Sequence, residues 1–242
     1  MSFGDKKQRG RYHTIWSHTW RAGLLVFCAL FVVLFIVTLP PRNSPLGKLD
    51  LEEPVGVFTN LKLSRVRENP ALCRQVIDNS RLKVERVPNE KGGLCNLVNG
   101  VSLDVAYFPY STPATVSCPT AAAVYIWERE VVAAAAAKYL PAAVTRIEIA
   151  GSYSCRRRYG REVGPISEHA SGNAIDISGF HLANGETITV KTAWKGGGAN
   201  QQFIHAVRDG ACGVFQAVLS PDYNAAHHDH LHLDMGASKI CH

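Results

Sequence analysis

The longest apolar stretch in the chain runs uncharged from Ala22 to Pro41 and includes LLVFCALFVVLFIV. At a rise of about 1.5 Å per residue, Ala22 to Leu39 makes a helix of about 27 Å, close to the ~30 Å hydrocarbon layer of a bilayer. A cleaved signal sequence has an apolar region of about 7 to 15 residues and a small-x-small exit. Here the run leaves through Val37-Thr38-Leu39-Pro40-Pro41. The pattern therefore predicts an uncleaved anchor over residues 22–41. Residues 42–70 mix Pro, Asn, Ser, Gly and charge with little periodicity, and read as a loosely ordered stalk.

Residues 71–242 carry the patterning of a folded domain. Short segments bearing Cys73 and Cys95, with turn signals at Asn89 and Gly92-Gly93, suggest a small disulfide-tied entry region up to about Val105. The stretch AAAVYIWEREVVAAAAAKYL predicts a helix, capped by Thr120 and ended by Pro141. Val144 to Ala150 alternates at period two, as a half-buried strand does. Asn173–Phe180 and Glu186–Lys191 read as strands joined by a turn at Asn184-Gly185. Gln201–Arg208 reads as a helix closed by Gly210, and Phe215–Leu219 and His230–Asp234 as the last strands. The expected fold is α+β, an antiparallel sheet with flanking helices behind one transmembrane helix.

Charge sharpens this division. Lys6, Lys7, Arg9, Arg11 and Arg21 precede the apolar run against Asp5 alone. Such a flank stays in the cytoplasm, which makes residues 1–21 a cytoplasmic tail and sends the body across the membrane. Of the formal net charge of +6, residues 1–42 carry +5, and the body after Arg42 is nearly neutral at +1 with no basic stripe. Nucleic acid is therefore not an expected partner. Cys28 lies in the apolar run, and the other six cysteines (Cys73, Cys95, Cys118, Cys155, Cys212, Cys241) are spread over the body without a C-x-x-C pair. Three disulfides in an oxidising compartment are expected, among 15 possible pairings.

Candidate chemistry concentrates in two segments. His227, His228, His230 and His232 fall within six residues, beside Asp229 and Asp234. On a strand His230 and His232 share a face and Leu231 and Leu233 take the other, so one face is apolar and one carries imidazoles. Burying imidazoles side by side is costly unless they are hydrogen-bonded or bind a metal, so that face should line a cleft. In ISEHASGNAIDIS, Ala174, Asp176 and Ser178 share a strand face opposite Ile175 and Ile177. The freedom of Gly172 at positive φ lets His169 fold back toward Asp176. Two His nitrogens and one carboxylate suit Zn²⁺ with a fourth position open. Ser167 reads as a structural hydrogen-bonder rather than a nucleophile. His181 and His205 read as ordinary surface or helix residues, Trp127 as core, and Trp194 beside Lys195-Gly196-Gly197-Gly198 as core or cleft edge.

S-E-H-A-S-G-N-A-I-D fits S-x-H-x-x-G-x-A-x-D at each fixed position, and H-L-H supplies a downstream H-x-H. These motifs resemble the two signatures of the LAS zinc metallopeptidases, the group that includes D-Ala-D-Ala peptidases, murein endopeptidases and the hedgehog signalling domain. Roughly Cys73 to Cys241 further resembles the bacterial extensin-like C-terminal domain family, through SEHASGNAIDISGF, AVRDGACGVF and HHDHLHLD in that order. The resemblance implies a LAS-like fold, zinc ligation by His169, Asp176 and His232, and His230 as the base toward the attacking water. It also implies Arg156, in the place of a basic residue near the substrate, as the group polarising the scissile carbonyl or holding a substrate carboxylate.

The chain departs from the D-Ala-D-Ala dipeptidase pattern, which has Glu-x-x-His near its end. Asp229, three residues before His232, could stand in for that Glu, so Asp229 remains an alternative base. His227 and Asp229 are also expected to contact substrate. The implied activity is hydrolysis of amide bonds in peptidoglycan peptides by a membrane-anchored protein whose body is periplasmic or extracellular. The alternative is a zinc-containing wall-binding or scaffolding module without catalysis.

Overall fold

A computed structural model describes residues 5–242, with side chains from Trp20 onward. The first four residues of the expected tail lie outside the described residues. The chain opens with one long helix, α1 (Asp5–Thr38), whose Trp20–Thr38 portion is apolar enough to cross a membrane and is not buried by the rest of the chain. Such a helix serves either as an anchor or as a signal sequence.

The segment expected as a loose stalk is packed instead. Leu51 and Leu49 join the core, and α2 (Thr59–Glu68) buries Thr59, Lys62, Leu63 and Val66. Two of those four positions are polar, which breaks the apolar period that would have marked the helix. Asn69 then caps α3 (Pro70–Asp78), its side chain accepting from Leu72 N with Pro70 at the first position.

After α3 come β1 (Glu85–Arg86), β2 (Glu90–Gly92), β3 (Cys95–Leu97), β4 (Gly100–Val105) and β5 (Pro109–Ser117). The central helix follows as α4 (Cys118–Trp127) and α5 (Ala133–Tyr139), joined without a break by a wider turn over Glu128–Val132. It starts two residues before Thr120, whose hydroxyl pairs with that of Ser117 rather than capping a helix. Next are β6 (Val144–Gly151), β7 (Ala174–Leu182), β8 (Thr187–Thr189), the single turn α6 (Val190–Ala193) and α7 (Gly198–Ala211). β9 (Ala217–Leu219), β10 (Leu231–Asp234) and β11 (Ile240–Cys241) complete the order. Gly210, expected to close α7, lies inside it: a Cβ there would sit 2.3 Å from Val131 Cγ1, so its missing side chain lets two helices approach.

Nine strands form one sheet in the order β1-β4-β5-β6-β7-β10-β9-β11, with β8 on β7. All pairs are antiparallel except β5–β6 and β9–β11. The fold is mixed α+β with a mostly antiparallel sheet, as expected. Between β6 and β7 the register passes from Gly179 opposite Glu148 to Ile177 opposite Ile149, leaving Ser178 unpaired. This bulge changes which residues face the core. Ile175 and Ile177 before it and Phe180 and Leu182 after it are all buried in one cluster. Trp127 packs against Phe180 and Phe215, Phe203 stacks edge-on at Phe180, and the Trp127 indole donates to Val207 O at 3.1 Å.

Three disulfides are present, as expected: Cys73–Cys118, Cys95–Cys155 and Cys212–Cys241. Each closes a loop of tens of residues and contributes about 3–4 kcal/mol by the chain-entropy account. The entry region is tied by two of these bonds to later elements, not to itself.

Glu128 is fully buried in the wide turn. Its Oε2 accepts from Tyr107 N and Phe108 N at 2.8 Å each, and Oε1 from the Tyr110 hydroxyl at 2.6 Å. Burial pushes its carboxyl up to about 7 despite those three donors. The folded state thus holds a proton that the unfolded chain releases near pH 4.5. Its stabilising contribution is full below that pH and is lost as pH rises through about 7. Denaturation of the full chain in detergent should show stability falling by roughly 3 kcal/mol between pH 4.5 and 7 from this group. Glu128→Gln, which keeps the side chain's size and one acceptor oxygen and cannot ionise, should flatten that slope; an unchanged slope would remove Glu128 as its source.

Candidate metal centre

Strand pairing brings the site together. In the β7–β10 register His232 stands opposite Asp176, Leu231 opposite Ile177, Leu233 opposite Ile175 and Asp234 opposite Ala174. One face therefore carries leucines and isoleucines into the core, and the other carries His232, Asp176 and Asp234. Gly151 of β6 lies on the far side of Asp176, where a Cβ would come within 2.8 Å of Asp176 Oδ2. A glycine is needed there for the carboxylate to keep its place.

His169 arrives from a turn rather than a strand. Residues Glu168–Ser171 form one 3₁₀ turn, capped by Ser167, whose hydroxyl accepts from His169 N at 3.3 Å. Ser167 acts here as a structural hydrogen-bonder. The turn closes on Gly172 at φ 67°, a left-handed conformation that costs an L-residue side chain and that Gly adopts freely. Backbone bonds from Ser117 N to Gly172 O (2.7 Å) and from Ser154 N to His169 O (3.1 Å) fix the turn against β5 and the end of β6.

His169, Asp176 and His232 are 3%, 7% and 8% exposed, and their donor atoms lie within 4.8 Å of one another. His169 Nε2 is 3.2 Å from His232 Nδ1 and 3.2 Å from Asp176 Oδ2; His232 Nδ1 is 2.8 Å from Asp176 Oδ1. The opposite ring nitrogens are committed. His169 Nδ1 donates to Ser152 O at 2.7 Å, and His232 Nε2 donates to Asp234 Oδ2 at 3.1 Å. Neutral imidazoles so oriented turn their lone pairs toward each other and toward a carboxylate. Such a convergence needs a proton or a cation between the atoms. With metal–nitrogen distances near 2.0–2.1 Å, a tetrahedral ion spaces its ligands by about 3.3 Å, so the donor set fits Zn²⁺.

The electrostatics agree. Burial opposes the charge of Asp176, but hydrogen bonds from His169 and His232 outweigh it and hold the carboxyl well below its usual range. Burial likewise disfavours the His232 cation, yet Asp176 and Asp234 more than offset this and push it up to about 9. The cluster attracts positive charge.

Around the cluster is a cleft of about 240 Å³. His227, His230, Arg156 and Arg158 line it, with Tyr159 and Tyr223 at its edge. His230 Nδ1 donates to Asp229 Oδ1 at 2.9 Å, and Nε2 lies 3.7 Å from Asp176 Oδ1. Asp229 is behind His230 and does not line the cleft. That hydrogen bond to His230 is the largest of the effects that lower its pKa. His227 Nδ1 donates to Asn224 Oδ1 at 2.8 Å, and Asn224 Nδ2 donates to the Tyr159 hydroxyl at 3.1 Å. Burial, then the neighbouring His232 and His230, lower His227 to about 4, so it is neutral at pH 7. Trp194 is buried against His205 under Arg208, away from the cleft. His181 is engaged on the sheet surface by Glu148 at 2.6 Å.

Sequence reasoning missed Asp234, Tyr159, Tyr223 and Asn224. Asp234 was within reach of the alternation rule, since H-x-H-x-D places it on the same strand face as both histidines.

Fold and cluster together define an α+β domain built around a buried His–Asp–His donor set. The model of the extensin-like protein C-terminus matches residues 71–242, and the chain belongs to that family. No curated protein and no solved structure matches it.

Asp234→Asn keeps the shape but weakens the acceptor that sets the His232 tautomer. If the cluster holds Zn²⁺, titration of the full chain should show affinity reduced by about 10- to 100-fold. Unaltered affinity would mean that Asp234 does not orient the ligand.

Proposed function

We propose that this chain is a membrane-anchored zinc peptidase that hydrolyses amide bonds in peptidoglycan peptides, its domain built on the plan of the LAS metallopeptidases. The observation that carries this reading is the set of three lone-pair donors meeting at about 3 Å beside His230 in an arginine-lined cleft. His169, Asp176 and His232 would hold the metal, which when bound supplies Lewis-acid polarisation of water and carbonyl.

The chain's own residues account for the rest. Asp229 fixes the His230 tautomer, so that Nε2 faces the cleft with its lone pair free to take a proton from water and return it to the leaving amine. This favours His230 over Asp229 as the base. Arg156 and Arg158 present guanidinium groups to a substrate carboxylate or to the oxygen on which charge develops. His227, neutral and donating through Nδ1 to Asn224, turns its other nitrogen to accept a hydrogen bond from substrate. With Trp20–Thr38 as an uncleaved span, the basic residues before it would keep the N-terminus in the cytoplasm and the body at the wall.

Metal content and digestion of purified sacculi by the full chain test the assignment together. His169→Ala, Asp176→Ala and His232→Ala should each lose zinc and activity. His230→Ala should keep about one zinc per chain while turnover falls by about 10² to 10⁴. Full turnover in His230→Ala would reassign the base. A wild-type chain that binds zinc yet releases no product would make it a non-catalytic wall-binding module.

A further inference from the structure

The connection between α1 and the domain is short and fastened. From Thr38, the end of α1, to Pro41 there are three residue steps, which extend to no more than about 11 Å. From Pro41 on, the chain is bonded to α2 and the turn before it. Lys62, itself 3% exposed, donates through Nζ to Pro41 O at 2.6 Å. Arg65 Nη1 donates to Pro45 O at 2.6 Å, and Val57 N to Asn43 Oδ1 at 3.4 Å. Gly56 passes so near that a Cβ on it would lie 2.3 Å from Arg42 O. A segment held by three hydrogen bonds and one close backbone approach is not a tether on which the domain swings.

That junction also carries apolar surface with nothing packed on it. Leu46, Val57 and Leu61 are 74%, 82% and 41% exposed. Leu46 follows Pro45, Val57 is bonded to Asn43, and Leu61 lies one helical turn before Arg65. They therefore surround the same fastened segment. Arg42, Lys48 and Arg65 are exposed among them; the exposed acids nearby are Asp50, which accepts from Glu52 N, and Glu68, which pairs with Arg67.

We propose that this face, formed by Leu46, Val57 and Leu61 with Arg42, Lys48 and Arg65, docks on the surface of the bilayer spanned by α1. The occupant is a lipid surface with anionic headgroups. The apolar side chains enter the headgroup boundary and the basic ones meet lipid phosphates. Chain reach argues for the bilayer, because a fastened segment that begins within about 11 Å of the end of a span cannot be far from the interface. The first residue of the face, Arg42, follows the end of the span after three intervening residues. The proposal rests on α1 being a retained membrane span and is independent of the zinc chemistry.

The test uses the full chain with Cys28→Ser, reconstituted in vesicles containing an anionic phospholipid. Val57→Cys, or Val163→Cys as a control on the loop beside the cleft, carries a fluorophore, and a lipid with a spin-labelled headgroup is the quencher. The label at 57 should lose most of its fluorescence while the label at 163 keeps most of its own. Leu46→Asp with Leu61→Asp should restore emission at 57 without releasing the protein from the vesicles. Equal quenching at 57 and 163 overturns docking while leaving the span intact. Failure of the protein to float with vesicles overturns the span reading and the proposal with it. Self-quenching between labels at 57 without quenching by lipid would assign the face to a second copy, and overturn the proposal.

Discussion

The β7–β10 register sets the chemistry of the site. Because side chains alternate, one pairing of β10 against β7 puts Leu231 and Leu233 with Ile175 and Ile177 in the core and brings His232 opposite Asp176. A slip of β10 by one residue would drive the His232 imidazole and the Asp234 carboxylate into the apolar layer and expose the leucines. The core therefore enforces the geometry of the cluster. Burial of aliphatic side chains selects the register, and the register places the donor atoms about 3 Å apart.

The third donor needs a different kind of restraint, because a turn has no sheet to fix it. His169 is held by Ser167 at the start of its turn, by Gly172 at the end, and by backbone bonds to Ser117 and Ser154. Two disulfides reinforce those contacts from outside. Cys73–Cys118 pins the helix that begins immediately after Ser117, and Cys95–Cys155 pins the residue that follows Ser154. Both lie next to the residues whose backbone nitrogens hold the turn. The cost of bringing three lone pairs together is thus borne by covalent and hydrogen-bonded restraints rather than by the cluster itself.

Where local pattern and tertiary role coincide, the sequence was readable. AIDI and LHLD alternate strictly, and their faces follow from period two alone. The alanine-rich central helix has no competing conformation, and six cysteines in a body behind an apolar span read as three disulfides. What failed had nonlocal causes. Helix α2 hides because Thr59 and Lys62 occupy core positions, and they are tolerated there because Lys62 reaches Pro41 O and Thr59 accepts from Gly56 N. Gly210 has the appearance of a helix stop, but Val131 on another helix is what requires it. The bulge at Ser178 and the pairing of the cysteines likewise depend on partners far away in the chain.

Helix α2 also joins the two ends of the molecule's design. On one side Lys62 and Arg65 grip the segment that leaves α1. On the other, Arg67 Nη1 donates to Gly236 O at 2.6 Å and Met235 O at 3.4 Å, directly after Asp234, the residue that accepts from His232. Asn60 donates to Val214 O and accepts from Gln216, which leads into β9 beside β10. These are directional bonds from a helix that also buries Leu63 and Val66, so α2 is coupled directly to the end of β10. A cluster that tolerates little displacement is accordingly referenced to the segment that leaves α1 through one helix. Its distance from the end of α1 is set by packing rather than by a flexible stalk.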